Sequence, residues 1–171
     1  MVSKNESLGS SIRTSSDNII YFLEGEIYMS HDDCIFCKII EGEIPSAKVY
    51  EDEHVYAFLD ISQVSKGHTL IIPKTHTRNI YDTPPEVAKE LFARVPIVAQ
   101  AIKKAFNPIG MNLLNNNEAA ASQSVFHLHI HLLPKYKEDD GFSVNWLTHE
   151  DKYTPEDLQK IASNISTQIS D

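Results

Sequence analysis

Six residues alternate along the stretch HLHIHLLPK: His127, Leu128, His129, Ile130, His131 and Leu132, with Leu133, Pro134 and Lys135 following. Alternation at period two is the mark of a strand, and side chains at i, i+2 and i+4 share one face. Leu128, Ile130 and Leu132 therefore point to a core, and three imidazoles point the other way. The outer two lie roughly 13 Å apart at about 3.3 Å per residue. One zinc ion with Zn–N near about 2.1 Å cannot take all three. Two adjacent rings could share a metal, and three in a row suggest a division of labour for which metal, nucleophile and packing are the candidate roles.

The rest of the chain supplies short elements around this strand. Asp33 can cap a helix over CIFCKIIEG that stops at Gly42. Ala47 to Glu51 and Val55 to Asp60 read as a hairpin joined by EDEH, and His68 to Pro73 as a buried strand. Thr83-Pro84-Pro85-Glu86 carries the signature of a capping box with proline in the first turn. The helix that follows sets Val87, Leu91, Val95, Val98, Ile102 and Phe106 on one face, and Pro96 predicts a kink or break. Met111 to Asn115 and Val125 to Leu133 are two more strands, and Thr154 to Ile169 is a last amphipathic helix. Hairpins around one long helix predict an α+β fold with an antiparallel sheet. Residues 1–30 are polar and Ser-rich, so the reading is a disordered extension ahead of a domain over 31–171. Glu24-Gly25-Glu26 can be encoded by a purine run like a bacterial ribosome-binding site, which makes Met29 the expected natural start.

A net charge of −9 argues against nucleic acid as a partner, because such binding needs basic surface to neutralise phosphates. No apolar run approaches the roughly 20 residues that span a bilayer, and no signal peptide is visible; the expectation is a cytoplasmic protein. Both cysteines fall in CIFC, Cys34 and Cys37. A C-x-x-C pair is half of a zinc site and needs two further ligands, for which His76 and His127 are candidates. Redox chemistry and a bare pair of buried thiols are the other readings of CIFC.

Several motifs together carry a resemblance. FHLHIHLL (Phe126 to Leu133), GHTLIIPKTH (Gly67 to His76), FLDIS (Phe58 to Ser62) and NNN…SQSV (Asn115 to Val125) resemble the histidine-triad (HIT) family, in the same order along the chain. DGF…W…THEDKYTPEDLQ resembles its zinc-containing bacterial branch. The resemblance implies a five-stranded antiparallel sheet, a homodimer and a purine nucleotide ligand. It implies attack on the α-phosphate by the middle histidine, His129, with His131, His68, Gln123 and Ser124 about the phosphate. Asn116 and Asp60 match the phosphate- and ribose-contacting positions. Ile35, Phe36, Ile39 and Phe58 would form the apolar slot for the base, although apolar residues also read simply as core, and Asp60 reads also as a turn cap. The ligand set of a structural zinc would be Cys34, Cys37, His76 and His127.

Two positions depart from the family pattern. Ser122 and Glu118 stand where relatives often carry glycine, which permits φ > 0 or close approach of a phosphate. The expectation is a narrower loop or one that repels polyphosphate. The implied activity is hydrolysis of a nucleoside phosphoramidate or dinucleoside polyphosphate, with transferase chemistry a near neighbour. A nucleotide-binding module with vestigial catalysis and a metallohydrolase with a catalytic zinc in the triad are the competing classes.

Overall fold

Continuous burial along β4 (Val55–Leu59) and β5 (Thr69–Pro73) decides the architecture, because successive side chains enter cores on opposite faces. Val55, Ala57 and Ile71 face one side and join Leu128, Ile130 and Leu132 in a core under a long helix. Tyr56, Phe58, Leu70 and Ile72 face the other side and pack with Cys34, Phe36, Cys37 and Ile39. The central strands are thus covered on both faces. The computed structural model describes residues 22–23, 26–27, 33–138 and 140–169.

The sheet contains β3 (Lys48–Glu51), β4, β5, β6 (Gly110–Leu114) and β7 (Ile130–Lys135), in the order β3-β4-β5-β7-β6, every pair antiparallel. Two short strands precede it, β1 (Phe22–Leu23) and β2 (Glu26–Ile27), which pair with each other. Apart from these four residues, the expected disorder of 1–30 and the expected start at Met29 lie outside the described residues.

The strand expected over Val125 to Leu133 begins later, at Ile130. Pairing explains the difference. Ladder partners start at Ile71↔Ile130 and Leu114↔His131. Upstream, the backbone is held by other groups: the Leu128 N–H donates to the Thr77 carbonyl at 2.8 Å, and Asn115 Nδ2 donates to the His129 carbonyl at 2.8 Å. The alternation survives because Leu128 is still pulled into the core.

Helix α1 (Ile35–Ile40) is capped by Cys34 without a side-chain bond, so Asp33 is not the N-cap. Its end agrees with the expectation. Gly42 adopts φ +80, its N–H reaches the Ile39 carbonyl, and the Glu43 N–H reaches that of Lys38. This is a Schellman ending, which needs the left-handed conformation glycine tolerates.

Helix α2 (Pro85–Phe106) is capped by Pro84, and Thr83 does not cap it. The Thr83 hydroxyl is engaged with the Asn79 carbonyl at 2.6 Å and Thr77 Oγ1 at 2.9 Å. The expected capping box with Glu86 is therefore absent. The helix also runs through Pro96 without a break. Proline inside a helix costs about 3 kcal/mol. Leu91, Val95, Val98 and Ile102 are buried on the sheet, at roughly 1.5–3 kcal/mol each, which outweighs that cost. Pro96 itself faces solvent, so water can satisfy the carbonyl it leaves open.

The turn between β3 and β4 is fastened to α2. Asp52 accepts from the N–H groups of His54 and Val55, and Arg94 Nε donates to it at 2.8 Å. Burial alone would raise the Asp52 carboxyl, but the bonds from Arg94 and the two backbone N–H groups outweigh it and hold it well below the usual range. A depressed carboxylate adds stability that is complete above its unfolded value near ~3.9 and is lost as pH falls through the folded value. Arg94→Ala is therefore expected to flatten the loss of stability between about pH 5 and pH 3, read by denaturant melts across pH. Equal slopes in the two proteins would contradict the role given to Asp52.

The chain divides into two compact units, at Gly141 and Phe142. The second contains α3 (Pro155–Ser166), with a capping box of Thr154 and Asp157. Among the described residues, no helix is long and apolar enough to cross a membrane.

Candidate functional site

The three histidines separate as their spacing requires. His127 is fully buried; its Nε2 donates to the Pro73 carbonyl at 2.8 Å. A carbonyl only accepts, so the proton sits on Nε2 and the Nδ1 lone pair faces the sulfurs. Nδ1 lies 3.4 Å from Cys34 Sγ and 3.6 Å from Cys37 Sγ, and His76 Nδ1 lies 3.3 Å from Cys37 Sγ.

Donor atoms of Cys34, Cys37, His76 and His127 all lie within 4.8 Å of one another. Tetrahedral zinc with the usual bond lengths would set its ligands roughly 3.3–3.8 Å apart. The observed separations fit. The donor chemistry fits too: burial and the neighbouring Cys34 push the Cys37 thiol up to about 12, so a thiolate pair at this depth needs a cation beside it. The Pro73 carbonyl supplies the outer bond that fixes a metal-binding imidazole. These four residues form a group able to hold a metal ion, from α1, the β5–α2 loop and the approach to β7.

His129 is also buried. Its Nδ1 donates to the His127 carbonyl at 2.7 Å. A neutral ring so fixed carries its lone pair on Nε2. Burial pushes the imidazole below its usual range, which favours that neutral form near pH 7. The Phe36 ring meets it edge-on at 5.3 Å.

His131 Nδ1 sits 2.9 Å from His68 Nε2, and Asp60 Oδ2 is 3.6 Å from the same His68 atom. Burial first, then the neighbouring His129 and His68, push His131 down to about 4; burial also lowers His68. Asp60 Oδ1 accepts the Ser62 N–H at 2.7 Å, an Asx-type turn that coexists with the approach to His68. The turn-cap reading of Asp60 is thus seen in its Oδ1, while its Oδ2 faces His68.

Of the remaining expected site residues, Phe36, Ile39 and Phe58 are buried in the cluster beneath α1, whereas Ile35 is 46% exposed. Ile35 and Ser124 help line a cavity of about 170 Å³ with Asp33, Cys34, Val125 and Phe126. Asn116 Nδ2 donates to the Ser122 carbonyl at 3.3 Å. The buried Gln123 departs from expectation: its Nε2 donates to the carbonyls of Arg78 (2.7 Å) and Val125 (3.1 Å), and its Oε1 accepts the Glu118 N–H. Both amide hydrogens are committed to the loop, so this side chain shapes the loop and is not presented as a phosphate donor.

Ser122 and Glu118 both have positive φ, 66 and 74. The positions where glycine was missed are the ones whose backbone asks for it. The Glu118 carboxylate does not hang into the site as a repelling charge; Arg78 and Asn79 hold it. Arg78, Asn79 and Asn115 were not among the expected site residues. Asn115 donates its side-chain amide to the His129 carbonyl, and the Arg78 carbonyl accepts from Gln123, pairings with backbone groups that no side-chain motif announces.

A sheet with this strand order, a triad approaching its fourth strand and a Cys–His group beside it define a histidine-triad protein. Residues 41–138 match the family described as HIT domain, and the chain belongs to that family. It is 60% identical over 139 residues to the protein hit of Bacillus subtilis, covering 81% of this chain and 96% of the relative. The adenosine 5'-monophosphoramidase of Schizosaccharomyces pombe is 38% identical, covering 80% of this chain and 98% of its own. A crystal structure of a HIT family protein from Bacillus anthracis superposes with a TM-score of 0.79 at 58% identity, covering 81% and 99% of the two chains. A Zn-bound histidine triad protein of Mycobacterium smegmatis superposes with a TM-score of 0.62 at 33% identity, covering 82% and 100%. Of these relatives, the Schizosaccharomyces pombe protein is the one named for an activity on a nucleotide.

Proposed function

We propose that this protein hydrolyses purine nucleotide conjugates at the α-phosphate through a nucleotidyl-histidine on His129. The observation that carries the proposal is the bond from His129 Nδ1 to the His127 carbonyl, which presents the Nε2 lone pair of a neutral ring. Nε2 attacks the α-phosphorus; a P–N bond forms as the bond to the leaving group breaks. Water then cleaves the P–N bond and releases the nucleoside monophosphate. Splitting one displacement into two is the gain of covalent catalysis.

His131 and His68 face the phosphoryl oxygens in this reading. With His68 Nε2 donating to His131 Nδ1, the His131 proton sits on Nε2 and can be offered to developing negative charge. Ser124 stands toward the leaving group, and Asp60 accepts the ribose hydroxyls, two donors that suit a carboxylate. Asn116 contacts phosphate and ribose. Ile35, with the edges of Phe36, Ile39 and Phe58, meets the base.

The metal in this reading is zinc, held by Cys34, Cys37, His76 and His127. A site with four protein ligands is closed and structural, and it joins α1 to the triad segment. Zinc at such a site supplies folding energy rather than a Lewis acid for the reaction. We place the protein in the cytoplasm, where thiols stay reduced. A homodimer belongs to the same reading; Phe92, Ile97 and Leu113 lie exposed on α2 and the edge strand β6. Light scattering at low concentration is expected to give twice the chain mass.

The test is release of AMP from an adenosine phosphoramidate and from a diadenosine polyphosphate. Steady release from either supports the hydrolase. Tight binding of AMP with no release from either would favour the nucleotide-binding module instead.

A further inference from the structure

Five consecutive residues of the β5–α2 loop, 76–80, all make contacts with the site. His76 belongs to the metal group. Thr77 offers its carbonyl to the Leu128 N–H, between His127 and His129. Arg78 offers its carbonyl to Gln123 and its guanidinium to Glu118, Nε to Oε1 at 3.2 Å and Nη2 to Oε2 at 2.8 Å. The buried Asn79 donates to Glu118 Oε1 at 2.5 Å, and the Ile80 N–H donates to Asn117 Oδ1 at 2.9 Å. The Arg78 guanidinium also lies over the Phe126 ring, 4.0 Å from its centre.

Glu118 is the point where these contacts converge. Its backbone is at φ 74, ψ 158, a region that is essentially glycine's. A glutamate persists there only when its surroundings over-determine it. Here the carboxylate accepts three hydrogen bonds, the N–H donates to Gln123 Oε1, and the carbonyl accepts the N–H groups of Ala121 and Gln123. An isolated surface ion pair would contribute little. This one is a two-point fork backed by a buried amide, and it fixes a strained residue two positions from Asn116 and six from Ser124.

We propose that Glu118, gripped by Arg78 and Asn79, is a positioning residue that sets the 116–124 loop, and that segment 76–80 links this loop to the metal group. The side chain that departs from glycine thus replaces conformational freedom with an external clasp. The catalytic consequence rests on the proposed reaction; the clasp itself does not.

The experiment uses the full zinc-loaded chain and compares wild type, Glu118→Ala and Glu118→Gln. It reads kcat and KM for AMP release from an adenosine phosphoramidate, zinc per chain, and amide hydrogen exchange over 117–124 by mass spectrometry. In Glu118→Ala the expected fall in kcat is about tenfold, since small misplacements of substrate-facing groups act on the transition state. KM is expected to move by no more than about twofold, zinc content to stay, and exchange over 117–124 to rise about tenfold. Glu118→Gln, which keeps an acceptor for Arg78, is expected to fall between. Unchanged kcat per folded molecule, or unchanged exchange in the loop, would overturn the proposal. Arg78→Lys keeps the charge and loses the fork, and serves if Glu118→Ala does not fold; unchanged exchange there overturns it equally. Should the wild type release no AMP, the reaction is refuted while exchange still decides the clasp.

Discussion

His129→Ala is expected to lower kcat for AMP release on the order of 10⁴-fold, the scale seen when a covalent nucleophile is removed. Neither of the other two triad imidazoles is placed to take over. His127 Nδ1 is turned to the sulfurs, and His131 Nδ1 is paired with His68 Nε2. The fold should tolerate the change: the ring loses one bond to the His127 carbonyl and an edge contact with Phe36, on the order of 1–2 kcal/mol. Zinc content should stay at one per chain, and AMP should still bind. Stopped turnover with retained binding and retained zinc separates a nucleophile from a structural histidine. If His129→Ala lost zinc in step with activity, the triad would be holding the metal, and the metallohydrolase reading would replace this one.

Removal of zinc, or Cys37→Ser, is expected to act the other way round, on stability first. Cys37 is 2% exposed and lies within 3.6 Å of two histidine nitrogens. Without a cation, its partners face one another as buried polar groups, and α1 loses its tie to His127. A loss of about 3–5 kcal/mol is expected, a fall in Tm of roughly 10 °C. Exchange should quicken first over α1, whose six residues have little helix stability of their own. His127→Ala should share this phenotype, in contrast to His129→Ala. A chelated protein that keeps its Tm but loses turnover would contradict a structural role for the metal.

Much of this was legible in the sequence because the signals were local. The period-two pattern of HLHIHLL separated core from site, and it did so even where the ladder fails, because Leu128 is anchored by packing. CIFC announced half of a metal group. What was not legible depends on contacts that only the fold makes, some near and some distant in the chain. Thr83 reads as a helix cap until Thr77 and Asn79 compete for its hydroxyl. Pro96 reads as a break until a buried stripe on α2 overrides it. Gln123 reads as a phosphate donor until the Arg78 carbonyl, 45 residues away, takes its amide. The missing glycines at 118 and 122 were visible, but their meaning was not. It lies in positive φ and in the fork from Arg78.

The central claim is covalent transfer to one nitrogen, and intact mass spectrometry after rapid mixing with an adenosine phosphoramidate or a diadenosine polyphosphate tests it most directly. Wild type is expected to gain the mass of an AMP adduct, mapped to His129 by peptide sequencing, and His129→Ala to gain none. AMP release without any adduct, or an adduct that persists in His129→Ala, would contradict the account.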